Sequence, residues 1–150
     1  MFKRDHKFKI VIEAKHPDQM LHPTGSDYRE ISLDEVHIDI VDTGNWKMNA
    51  LLGIHGFIEY LLVKALGVPV NDIEEHDSRF EEERKMGMHD SHAEPGDAIE
   101  APNHIPHSIA TGIERIAACF LRVHWSDYSS VVDCKCLPRI TKHQKGVKRR

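Results

Sequence analysis

Between Trp46 and Leu66 the apolar side chains return every three to four residues, the period of a helix with one buried face. Two ionisable residues stand in the middle of that face. At 100° per residue, His55 and Glu59 fall within about 40° of the line through Leu51, Leu62 and Leu66. Asn49, Gly53, Tyr60 and Lys64 lie on the other side. A chain that buries imidazole and carboxylate among leucines must pair them, bond them or put them on a metal. The i, i+4 spacing lets the two side chains converge on one point.

A later helix, from His107 to about Val123, repeats the arrangement. His107 and Glu114 flank the apolar positions Ala110, Ala117 and Leu121, while Ser108, Thr111, Arg115 and Arg122 point away. If the two apolar faces pack together, four ligand-type groups meet. Neutral imidazole with carboxylate suits zinc, iron or manganese, and three protein ligands leave a position open for water. The expectation is a divalent metal, zinc best of all, on His55, Glu59 and His107. Glu114 is then a fourth ligand or the base that orients water. The competing reading is metal-free: a His–Glu pair on each helix that holds the two in register.

The rest of the chain reads as a single α+β domain over residues 1–136. Residues 8–14 form a β-branched strand, and Val36–Asp42 alternates apolar and polar as a half-buried strand. A stretch near Arg29–Leu33 pairs with it as a hairpin, which gives a small antiparallel sheet packed on about three helices. Gly67-Val68-Pro69 stops the first helix. Asn71, with Glu74 three residues on, caps a second helix that runs to about Lys85. Residues 86–106 are a loop, and Ser126–Asp133 adds a short helix. Residues 137–150 hold six Lys/Arg and no acid, and read as a basic, mobile tail.

Charge and cysteine usage narrow the class. Residues 71–100 hold 11 acids against 3 bases, and six of the 12 histidines fall between His55 and His107. That concentration favours a metal or acid–base site in the middle of the chain. The second helix adds His76-Asp77, a doublet that resembles that of HD-type metal phosphohydrolases, and Asp77, facing the core, is expected to serve the same site as ligand or outer carboxylate. Three cysteines do not make a disulfide framework, and no apolar run reaches membrane-span length. A cytoplasmic protein is expected. Cys134-Lys135-Cys136 would place two thiols on one face of a strand, with His143 as a third donor. The basic tail suits weak, non-specific contact with nucleic-acid phosphates.

The order of motifs resembles a family of small, uncharacterised proteins of bacteria and their phages. The matching pieces are Thr43-Gly44-Asn45-Trp46, His55-Gly56-Phe57-Ile58-Glu59-Tyr60 and Glu94-Pro95-Gly96-Asp97. They continue with Ala101-Pro102-Asn103-His104-Ile105-Pro106-His107 and end with Ala110-Thr111-Gly112-Ile113-Glu114. The layout is also similar to that of zincin metallopeptidases, with an edge strand followed by a helix bearing the first metal ligands. Gly56 stands where a zincin carries its general-base Glu, and Glu59 where it carries its second His. The resemblance therefore implies one of two outcomes. Either another carboxylate, Glu114 or Asp77, acts as base in a metal-dependent hydrolase, or the chain is an accessory protein with a structural metal. A third reading, a binder acting through the basic tail, belongs to nucleic-acid association. Peptide and phosphoester substrates both stay open.

Overall fold

The computed structural model describes residues 7–144, with side chains through residue 136. Val36, Ile38 and Ile40 alternate with polar neighbours along a strand, and all three are buried. That strand, β3 (Glu35–Val41), is the centre of a three-stranded sheet flanked by β1 (Lys9–Lys15) and β2 (Ser26–Ser32) in the order β1-β3-β2. β2 and β3 form the expected antiparallel hairpin. β1, however, runs parallel to β3, with Ile10 beside Val36 and Ile12 beside Ile38. The sheet is therefore mixed, which corrects the antiparallel expectation. The cause is the path of the chain. The segment between β1 and β2 carries it to the far edge, so β3 returns between the two and in the direction of β1.

Four helices follow: α1 (Trp46–Ala65), α2 (Val70–Lys85), α3 (His104–Leu121) and α4 (Trp125–Gln144). Asn45 caps α1, its side chain accepting from the Lys47 amide at 3.0 Å. Gly67, at φ +67°, turns the chain out of it. Asn71 is not the cap of α2. Pro69 precedes the helix and Val70 opens it, because the fixed φ of proline already sets the entry and Asn71 falls inside the first turn. α3 begins three residues before the expected His107, with Pro106 in its first turn, where the missing N–H has no helical partner to lose. Arg122, left-handed at φ 54°, closes it.

α4 is longer than the short turn expected and continues to Gln144, so residues 137–144, assigned by sequence to the tail, are helical. The remainder of the basic tail, 145–150, lies outside the described residues. In α4, Cys134 and Cys136 are about 200° apart around the axis, so the two thiols do not share a face. No helix among the described residues is long and apolar enough to cross a membrane.

α1 lies on the sheet and α3 lies on α1. The core joins the β3 residues to Leu51, Leu52 and Tyr60 of α1, Ala118 of α3 and Tyr128 of α4. α1 and α3 run antiparallel, since His55 meets Glu114 while Glu59, one turn later, meets His107. This pairing positions the site.

Candidate metal centre

Gly56 explains how α1 can sit so close. A Cβ there would collide with the Ser26 hydroxyl and come within 2.8 Å of Ile38. The position faces the sheet, so it cannot direct a side chain towards His55 and Glu59. The zincin-like place for a general base is thus spent on helix–sheet packing in this chain.

His55 and Glu59 project from α1 on the side turned to α3. Glu59 is buried, and its Oε2 accepts from His55 Nε2 and from His107 Nδ1, both at 3.0 Å. Its other oxygen, Oε1, accepts from the Asn103 amide at 2.8 Å. The second nitrogen of each imidazole turns outward to a carboxylate. His55 Nδ1 bonds Glu114 Oε2 at 3.0 Å. His107 Nε2 lies 3.2 Å from Glu94 and 3.4 Å from Asp97. The rings of His55 and His107 stand edge to face, 4.9 Å apart.

The loop Glu94-Pro95-Gly96-Asp97 is built around His107. Gly96 passes so close that a Cβ would sit 2.6 Å from the imidazole ring. Glu94 and Asp97 reach the ring from either side of that glycine. His104 Nδ1 lies 3.2 Å from the Gly96 carbonyl, and His76 Nε2 lies 3.2 Å from that of Pro95. His76 is therefore a strut under this loop rather than a site residue, and the His76-Asp77 doublet divides its labour.

Asp77 lines the cleft. Its Oδ1 is buried with no partner at hydrogen-bonding geometry. Burial, then the charges of Glu59 and Asp27, push its carboxyl up to about 7. Glu114 differs from the expectation of ligand or base. Oε2 is held by His55 and Oε1 by the Tyr128 hydroxyl, so both oxygens are engaged in holding the ring.

Electrostatically the centre is a row of alternating charges. Burial disfavours the His55 cation, but its bonds to Glu114 and Glu59 outweigh that and raise it to about 9. Burial likewise opposes the His107 cation, and Asp97, Glu59 and Glu94 together raise it to about 12. Burial alone would raise Glu59, yet the two histidines hold it at about 2. Both imidazoles thus carry protons on both nitrogens when no metal competes.

His55, Glu59 and His107 are positioned to hold a metal ion: one donor atom from each lies within 4.8 Å of the others. Two imidazole nitrogens and one carboxylate are a donor set that zinc accepts. The outer carboxylates supply the orienting partners that metal-bound imidazoles require. The residues therefore fit the group. Beside them opens a cleft of about 400 Å³, lined among others by Tyr28, Asp77, Glu94, Arg115 and Tyr128.

Sequence reading missed Asn103, Tyr128 and the clamp of Glu94 and Asp97 on His107. The clamp had a signal, a Pro-Gly turn between two acids just ahead of the histidine helix. Asn103 and Tyr128 had none, because their roles depend on tertiary placement alone. No family model, curated protein or solved structure matches the chain.

Proposed function

We propose that the chain is a metal-dependent hydrolase-like protein that binds one divalent ion, zinc by preference, on His55, Glu59 and His107. One observation carries the reading. Each imidazole aims one nitrogen at Glu59 Oε2, and a second carboxylate holds its other nitrogen. The protons on the two inward nitrogens carry the charge that a divalent ion would bring, so the exchange leaves the buried charge unchanged. The alternative, a purely structural ion-pair row, does not require two nitrogens aimed at one oxygen.

When bound, such an ion supplies Lewis acidity and brings the ionisation of a bound water towards neutral pH. The chain's own residues do the rest. Glu114, fixed by Tyr128, holds His55 in one ring orientation, and Asp97 with Glu94 does so for His107. Asn103 fixes the Glu59 carboxylate. Asp77, with an unengaged oxygen and an ionisation near neutrality, is the cleft carboxylate suited to take a proton from water. The cleft also favours a peptide or other amide over a phosphoester. Carboxylates line it, Asp27, Asp77, Glu94 and Asp97 among them, and would repel an anionic phosphoester, while Arg84 is held by the Ser91 and Ala93 carbonyls and by Glu81.

Cobalt substitution tests both the metal and the open position. Co²⁺-loaded protein is expected to show a visible spectrum of mixed nitrogen–oxygen coordination that shifts when azide or a hydroxamate is added. An ion bound with no response to either would leave the accessory, structural-metal reading. No uptake would leave a metal-free ion-pair row.

A further inference from the structure

The outer face of α3 is as apolar as its inner one. Ile105, Ile109, Ile113, Ile116 and Phe120 recur at intervals of four, four, three and four residues, which keeps them on one side of the helix. Each is between 37% and 85% exposed. The residues bordering them on one side, Ser108, Gly112 and Cys119, are exposed, small and uncharged. The exposed Arg115 turns its guanidinium onto Trp125, 4.5 Å from the ring centroid. The inner face of the same helix carries His107, Ala110, Glu114 and Ala118. No part of the centre described above uses the outer stripe.

Gly112 lies halfway along the stripe, beside its edge. A glycine inside a helix is unfavourable relative to alanine. Here a Cβ would meet nothing within 4 Å, so no contact inside this chain calls for its absence. The stripe also reads nearly the same in both directions. Reversed on itself, it puts Phe120 opposite Ile105 and Ile116 opposite Ile109, with Gly112 and Ile113 at the centre.

We propose that the outer face of α3 seats a second copy of this chain, helix against antiparallel helix, about a two-fold axis beside Gly112. A two-fold interface uses one patch twice and must be complementary to itself, which is the property the reversed stripe has. A different partner would have no need of that symmetry. The area agrees. Five such side chains at these exposures form a patch of roughly 300–600 Å², the size of the largest and often functional patch on a monomer. Two patches face to face bury on the order of 1,000 Å², the threshold for a specific interface. The glycine at the crossing point lets the two backbones approach closely.

The test is the solution mass by analytical ultracentrifugation at micromolar concentration, with circular dichroism as a check on folding. The wild type is expected at twice 17.2 kDa. Ile109→Glu combined with Ile116→Glu sets like charges against each other across the axis and should give the single-chain mass. Ile109→Lys combined with Ile116→Glu sets opposite charges at the same two contacts and should restore the double mass. Gly112→Cys should cross-link two chains on oxidation, above the background that the native cysteines give in the wild type. A wild type of single-chain mass overturns the proposal. So does a Glu/Glu variant that stays dimeric, or a Lys/Glu variant of single-chain mass. If the charged variants lose their helical signal, absence of the Gly112→Cys cross-link overturns it.

Discussion

Gly56 and Glu114 show most directly how single residues shape the centre. At Gly56 an added methyl group enters the space of Ser26 and Ile38, and both neighbours are held by the strands that carry them. Gly56→Ala should therefore cost about 1–3 kcal/mol of stability, the usual range for overpacking. Urea unfolding would show it as a lowered midpoint with an unchanged slope. Glu114 acts through another residue. Glu114→Gln keeps the shape but weakens the hold on His55 Nδ1, and outer partners of this kind are worth about 10–100-fold in metal affinity. Competition against a chromogenic chelator should return a drop of that size, with helical content unchanged.

At the scale of elements, α1 and α3 are joined through charges whose signs set a pH window. The two histidines are raised in the folded chain. Their contribution is complete below the ordinary histidine value, about 6.5, and is lost as pH rises, through about 9 for His55. Glu59 is depressed, so its contribution is complete above the ordinary carboxylate value of 4.5 and is lost as pH falls towards about 2. In chelator, the melting temperature should therefore peak between about pH 4.5 and 6.5 and fall on both sides. A bound ion would give the opposite slope on the alkaline side, because it would displace protons. At neutral pH it should release about two protons per site, which calorimetry in buffers of different ionisation enthalpy will count. Release of none would mean that neither imidazole gives up its inward proton.

The same pair of helices shows what can be read from sequence. His55, Glu59, His107 and Glu114 were legible because each breaks an apolar stripe at helical spacing, and the structure brings all four together. The start of α3 at His104 and the length of α4 were not, since a proline in a first turn and a basic surface both blur the period. The parallel pairing of β1 was hidden because alternation gives a strand's faces and not its neighbour. The division between Glu114 as a positioning residue and Asp77 as a free carboxylate rests on Tyr128, a long-range partner that no local pattern announces.

At the scale of the molecule, a small mixed sheet presents α1, α1 presents α3, and the two together hold a largely buried His–Glu cluster at the wall of an acid-lined cleft. If His55, Glu59 and His107 hold a metal, the ion depends on each of the three. The deciding measurement is elemental analysis of protein purified without a histidine tag, wild type beside His55→Ala. About one equivalent of a divalent metal, zinc foremost, is expected in the wild type, and its loss in the variant. Wild-type protein without metal, even after dialysis against zinc, or a variant that retains it, would mean that these three residues hold no ion and that the row of alternating charges is a structural tie between α1 and α3.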